Sequence, residues 1–444
     1  MVKHILIITV GASDQPIVTS IKNNRPDYVY FLCSDDLGEI KGSYVAVEGP
    51  GKPCQENKVC ITAQTGLDKT KYEIIKVSLD DLSSCYLAAC GALKEIRRTN
   101  PNAQVIADYT GGTKSMSAGL AAAAMDDGNT DVCIVKGLRI NMHQVKAGTQ
   151  SARIIDSNII ITEKKLQLID LLWHRFDYQS CLTVLQDIFS RPQSINLSSR
   201  LDIINNLCLG FEAWDRFNHN LAIGILQDIN KKLGNKLENQ VEMLGEIKCV
   251  IEWWPDQQKK DPSTLTQKNR KQIYNFMPVF DLILNAQRRN SQGRFDDAVA
   301  RLYRALEMFG QINLLRWEHP LNSSALKLEL LPQGLAENYS FKGNKQAGAI
   351  TIGLIQNFTL LSELNNPVGI VFNEYKDKIR AALNSRNNSL MAHGIIPVSE
   401  TECQNIIDIV LSFITAALNN MDIETPDLKK LQYPISLLED NNLI

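Results

Sequence analysis

The 444-residue chain has no Cys-x-x-Cys pair, and its 10 cysteines mostly stand singly inside apolar stretches, as at Cys33, Cys85, Cys90, Cys133 and Cys208. This excludes a zinc knuckle and points to free, buried thiols in a reducing compartment rather than a disulfide frame. It also lacks a Gly-x-x-x-x-Gly-Lys-Ser/Thr sequence, which argues against a P-loop nucleotide hydrolase. No apolar run is long enough to span a bilayer. Ile5-Leu6-Ile7-Ile8, directly after Lys3-His4, is too short for the core of a signal peptide, so a cytoplasmic protein with no membrane partner is expected. Charge of one sign is missing too: a net charge of −2 argues against a broadly basic nucleic-acid coat, so any nucleic acid must be held locally.

What is present exceeds a single core, and two or three domains are expected. Up to about residue 160, apolar strand-like runs alternate with helical patterns, the signature of a parallel α/β sheet. The strand candidates are Ile5–Val10, Tyr28–Leu32, Ile74–Val77, Val105–Ala107 and Val132–Val135, with Asp81–Arg98 the clearest helix. From 161 to about 262 the pattern is helical and partly repeats. Arg175-Phe176-Asp177-Tyr178 is echoed by Arg216-Phe217-Asn218-His219, and more loosely by Arg294-Phe295-Asp296. An aromatic followed by a capping Asp or Asn is how helical hairpins join, although convergent helix-start chemistry gives the same pattern. Trp173, Trp214, Phe176 and Phe217 read as core residues. The proline-bracketed stretch 253–262 reads as a linker, and 263–444 is helical again.

Two short motifs carry chemistry. Asp108-Tyr109-Thr110-Gly111-Gly112-Thr113-Lys114 follows the strand candidate at 105–107 and leads into an alanine-rich helix. A strand, a glycine turn and a helix N-terminus make an anion site, because free N–H groups and the helix dipole face the ligand and Lys114 adds a full charge. The first strand ends in a second turn, Gly11-Ala12-Ser13-Asp14-Gln15-Pro16, with a Ser or Asp cap expected. Ligands bind beyond the carboxyl ends of strands in open α/β sheets, so the two loops should meet on one rim.

The second motif is Arg386-Asn387-Asn388-Ser389-Leu390-Met391-Ala392-His393. On a helix the Arg and His share a face, with a rise of ~10.5 Å between them. A histidine that moves protons and a guanidinium that stabilises phosphate charge suit RNA scission without a metal. That span is long for one pair to enclose a phosphate, so a copy from a symmetric partner would help.

In this order the two motifs resemble the CARF–HEPN ribonucleases of type III CRISPR systems. Asp108–Lys114 is similar to the CARF motif and Arg386-Asn387…His393 to the HEPN Arg-x(4–6)-His motif. Phe295-Asp296-Asp297-Ala298-Val299-Ala300-Arg301-Leu302-Tyr303-Arg304-Ala305-Leu306-Glu307 resembles the leading HEPN helix. The resemblance implies a Rossmann-like α/β CARF domain (1–160), an all-α connecting region (161–262) and an all-α HEPN domain (263–444). It implies a homodimer whose CARF domains bind cyclic oligoadenylate, with tetra-adenylate favoured over hexa-adenylate, and whose HEPN domains cut single-stranded RNA without a metal, leaving a 2′,3′-cyclic phosphate. Carried onto this sequence, Thr110, Gly111, Gly112, Thr113 and Lys114 would hold phosphates and riboses, and Gly11, Ala12, Ser13 and Gln15 would face adenine or sugar. Arg386 and His393 would be catalytic, supported by Asn387. Ser13 or Thr113 would position a ribose hydroxyl if the activator is itself degraded.

Two other readings stay open. A CARF-type sensor without nuclease activity needs a basic recognition helix, and the C-terminal helices carry no basic cluster. A metal-dependent nuclease would use Asp156 with Glu163-Lys164-Lys165 in the strand-like stretch Ile159-Ile160-Ile161.

Overall fold

The computed structural model describes residues 2–49, 59–138, 146, 148–191, 195–255, 261–342, 344–346, 349–387 and 394–437. They form two compact units, Met1–Leu166 and Gln167–Ile444.

The first unit runs β1 (His4–Val10), α1 (Gln15–Asn24), β2 (Tyr28–Ser34), α2 (Val45–Glu48), α3 (Ile61–Thr65), β3 (Tyr72–Val77), α4 (Leu82–Thr99), β4 (Gln104–Asp108), α5 (Lys114–Asp127), β5 (Thr130–Lys136) and β6 (Ser151–Ile155). The sheet order is β3-β2-β1-β4-β5-β6, parallel except for the antiparallel edge pair β5–β6. The five strand candidates are all strands; β6 escaped the sequence because its residues are half-exposed on an edge and show no apolar run. Strand alternation sorts side chains onto two faces. Ile5, Ile7, Val105 and Ala107 pack under α4 and α5, whereas Leu6, Ile8, Val10 and Phe31 pack with Ile17 and Ile21 of α1.

The stretch Ile159–Ile161 is the first turn of α6 (Asn158–Trp173), not a strand. The Asp156 carboxylate accepts from the Asn158 backbone N–H at 3.0 Å, and Lys164 pairs with Asp126 at 2.6 Å. The structure therefore gives no strand on which Asp156 and Glu163 form a metal-nuclease pair.

The second unit continues with α7 (Tyr178–Phe189), α8 (Ile195–Asp215), α9 (His219–Lys232), α10 (Glu238–Glu252), α11 (Gln267–Ile273), α12 (Met277–Ser291), α13 (Phe295–Arg316) and α14 (Gln333–Lys342). A small hairpin, β7 (Asn344–Gln346) and β8 (Ala349–Thr351), precedes α15 (Leu354–Glu363), α16 (Pro367–Asn387), α17 (Glu400–Asn419) and α18 (Leu428–Leu431). Helices α12, α13, α15, α16 and α17 pack into a bundle around Phe309, Phe358, Phe372 and Phe413. Helix α17 is long and apolar enough to cross a membrane by composition, but Ile406, Ile407, Val410, Phe413 and Ile414 are buried in that bundle. Its apolarity is accounted for by this packing.

The helical repeats are real at their corners. Phe176 and Phe217 adopt left-handed backbone (φ 56° and 61°), a conformation costing about 1–3 kcal/mol for a non-glycine residue. In each, the next N–H reaches back to close the preceding helix: Asp177 to Leu172 O at 3.0 Å and Asn218 to Ala213 O at 2.8 Å. The side chains of Asp177 and Asn218 then cap α7 and α9. The third copy is displaced by two residues: Gly293 (φ 73°), not Phe295, takes the left-handed position, and Arg294 N–H bonds Arg289 O at 2.9 Å. Trp173 and Trp214 are buried as expected, but Phe176 and Phe217 are only partly so.

Candidate functional site

Because β1 and β4 are neighbours, the loops that follow them leave the sheet side by side at the point where strand order reverses. Gly11 and Gly112 come so close that a Cβ on Gly11 would lie 2.6 Å from the Gly112 nitrogen, and Gly112 itself has left-handed backbone (φ 80°). Glycine is required at both, for approach at one and for conformation at the other. Thr9 Oγ1 and Ser117 Oγ both donate to the Gly111 carbonyl, at 2.6 and 2.7 Å. That turns the carbonyl inward. The N–H groups of Gly111, Gly112, Thr113 and Lys114 have no acceptor among the described residues.

Behind the loop, Asp108 is fully buried and held by Ser20 Oγ at 2.5 Å. Its other oxygen accepts from both the backbone N–H and the hydroxyl of Thr110, at 2.9 and 2.5 Å, and that hydroxyl accepts from Val135 N–H at 2.7 Å. Thr110 is thus fully committed to the scaffold. Thr113 Oγ1 caps α5 through Met116 N–H at 3.3 Å and donates to Leu79 O at 2.7 Å. Burial first, and then the charge of Asp108, pushes the Cys133 thiol up to about 12, so it is not a thiolate nucleophile.

Lys114 is exposed, and no ion pair holds its ammonium among the described residues. Ala12, Ser13 and Gln15 are exposed on the adjacent loop. The expected cap there differs: Asp14 is the N-cap of α1, but it makes no capping bond and instead accepts from Gln64 Nε2 at 2.9 Å. The rim therefore offers main-chain donors, one lysine and the polar face of the first loop. That suits an anionic ligand.

The second candidate site lies at the C-terminal end of α16. Arg386 and Asn387 form the last residues of that helix, and His393 lies outside the described residues. Helix α16 is fixed in the bundle by Phe372 stacked on Phe358 at 4.9 Å. Beyond the motif the chain is tied down again, where Val398 N–H bonds the Asp296 carboxylate of α13 at 3.2 Å.

Comparison with known proteins assigns this bundle. Residues 267–417 match the family model of the Csm6 HEPN domain. This part of the chain is similar to a Csm6 HEPN domain. Arg386 and His393 both fall inside the matched segment. Over 97% of its length, and 97% of the other chain, the protein also shares the fold of Enterococcus italicus Csm6 bound to cyclic hexa-2′-fluoro-hexa-dAMP, with TM-score 0.56 and 13% identity. No curated protein sequence matches the chain.

One polar feature was missed by the sequence reading. Two helix corners of the connecting region and the corner between α12 and α13 line a cavity of about 580 Å³ with Arg175, Arg216, Arg289 and Arg294. The arginine preceding the aromatic in both close repeats, Arg175 and Arg216, was its only signal in the sequence.

Proposed function

We propose that the protein is a single-stranded RNA endoribonuclease of CRISPR defence, switched on by a cyclic oligoadenylate held at the β1–β4 rim. What carries the reading is one co-occurrence: a segment matching the Csm6 HEPN domain that includes Arg386 and His393, on the same chain as a Rossmann-like unit whose row of N–H donors beside Lys114 has no acceptor among the described residues. The fold shared with a Csm6 whose ligand is a cyclic hexanucleotide analogue supports it.

In this reading Gly111, Gly112, Thr113 and Lys114 contact phosphate, while Gly11, Ala12, Ser13 and Gln15 face base or ribose. Thr110 acts from behind, by fixing the loop. With Thr113 Oγ1 committed to capping, Ser13 is the residue left to position a ribose hydroxyl if the activator is degraded.

At the HEPN site, His393 takes the proton of a 2′-hydroxyl or returns one to the leaving 5′-oxygen. The 2′-oxygen forms its bond to phosphorus as the 5′-oxygen bond breaks, leaving a 2′,3′-cyclic phosphate and a 5′-hydroxyl. Arg386 stabilises charge on the phosphate, and Asn387 orients it. No step requires a metal. A cyclic, internally symmetric ligand calls for a two-fold pocket, so the working form is a homodimer.

The test is RNA cleavage with cyclic tetra- and hexa-adenylate, each with and without EDTA. One ring size should switch on cleavage that EDTA leaves intact. Abolition by EDTA, or activity indifferent to both rings, would overturn the reading. The same assay decides ring size between tetra-adenylate, which the sequence resemblance favours, and hexa-adenylate, the ring size of the Enterococcus italicus ligand.

A further inference from the structure

The cavity at the three helix corners carries a charge imbalance that its own residues do not resolve. Arg288 and Arg289 are buried, with 1% and 8% of their surface exposed, and both bond the one carboxylate of Asp215, which is 9% exposed. Two buried guanidiniums thus share one buried anion. Arg289 Nε has no hydrogen-bond partner among the described residues, whereas Arg288, which does not line the cavity, is also held by Gln432 Oε1 at 2.6 Å and the Tyr433 ring at 3.6 Å. The nearby Asp281 is already engaged by Trp214 Nε1 at 3.0 Å and His219 Nε2 at 2.8 Å. Unpaired donors on a buried cation are costly, and an incoming anion relieves that cost.

The cavity walls add to this. Four arginines line it against three carboxylates, Asp177, Glu212 and Asp215, and one of the four, Arg294, is paired with Asp297 outside the lining. Asp177 is spent capping α7 through Ser180 N–H, and Glu212 pairs with Arg216 at 2.6 Å. The Arg175 guanidinium has no partner among the described residues, and Arg216 is two-thirds exposed at the mouth. Donors therefore converge from the exposed mouth and the buried wall. A volume of about 580 Å³ suits a nucleotide rather than a bare ion.

We propose that this cavity binds a phosphate-bearing ligand, with the phosphate between Arg175, Arg216 and the buried Arg289. Guanidinium forks match phosphate oxygens in pairs, which favours phosphate over chloride. The ligand is either a free nucleotide or the 5′-phosphate end of an RNA strand. The site is separate from the β1–β4 rim and independent of the ribonuclease reading.

The test uses the full chain carrying Lys114→Ala, which removes the other cationic anion contact. Binding is measured by calorimetry at constant ionic strength for ATP, a 5′-phosphorylated RNA hexamer with 2′-O-methyl riboses, and the same hexamer with a 5′-hydroxyl. ATP or the phosphorylated hexamer should bind, and the 5′-hydroxyl hexamer should bind at least about tenfold more weakly than its phosphorylated form. Adding Arg175→Gln with Arg216→Gln should weaken binding at least about tenfold. Both positions are exposed, so circular dichroism and the melting temperature should be unchanged. ATP binding alone identifies a nucleotide, and binding of the phosphorylated hexamer alone identifies an RNA end. Absence of binding by either, or equal affinity with and without the two arginines, overturns the proposal. Messenger-activated RNA cleavage, assayed in parallel on the variant with Lys114 intact, reports only on the ribonuclease reading.

Discussion

Thr9 Oγ1 donates to the Gly111 carbonyl at 2.6 Å, joining the end of β1 to the loop after β4 across 102 positions of sequence. That bond sets the orientation of the whole turn. With the Gly111 carbonyl held inward, the successive N–H groups face the rim, and the close approach of Gly11 keeps the two loops together.

Gly11→Ala places a methyl group 2.6 Å from the Gly112 nitrogen, so the loops must separate. Messenger affinity should fall at least about tenfold, equivalent to ~1.4 kcal/mol. Cleavage should recover at saturating messenger because the HEPN site is untouched. Binding measured by fluorescence anisotropy at unchanged affinity would refute the role of this approach.

Lys114→Ala and His393→Ala should fail in opposite ways. The first removes a charged phosphate contact worth roughly 1.5–3 kcal/mol, weakening messenger binding by about 10- to 100-fold, and its activity should return as messenger is raised. The second should bind messenger normally and stay at least ~10²-fold slower at any concentration. Titrating messenger against each variant, with binding and cleavage followed separately, makes the comparison. If Lys114→Ala needs no extra messenger, the β1–β4 rim is not the regulatory site.

Asp215→Asn removes the one carboxylate that Arg288 and Arg289 share. Breaking a buried pair from one side costs about 3–5 kcal/mol, since the charges left behind stay uncompensated. Urea denaturation should show that loss in the HEPN-containing unit, and a change below about 1 kcal/mol would contradict the burial argument.

Burial alone would raise the pKa of the Asp127 carboxyl, but hydrogen bonds from Arg97 and Thr130 outweigh it and hold the group below its ordinary value. The stabilisation is therefore present above the unfolded value of about 3.9 and is lost as pH falls through the lower folded value. Asp127→Asn should lose less stability than the parent between about pH 5 and pH 2.5. Identical slopes in urea melts across that range would show that the Arg97 pair contributes nothing.

Much of this protein was legible in local sequence. Apolar runs of strand length marked β1 to β5, because strands buried on both faces need continuous apolar residues. The order Asp108–Lys114 marked a strand, turn and helix, because glycines and a Thr cap can do little else between an apolar run and an alanine-rich helix. The 295–307 segment and the Arg386–His393 spacing carried the HEPN resemblance, and the family match covers 267–417. Tertiary structure decided the rest. Only the β1–β4 adjacency brings Gly11 to Gly112, and only the buried Asp108 fixes the Thr110 hydroxyl and N–H behind the loop. The Asp215 cluster joins positions more than 70 residues apart, and β6 finds its antiparallel edge without an apolar run. Periodicity along a chain reports which face of an element is buried. It carries no information about which other element covers that face, and buried polar partners are chosen at that second step.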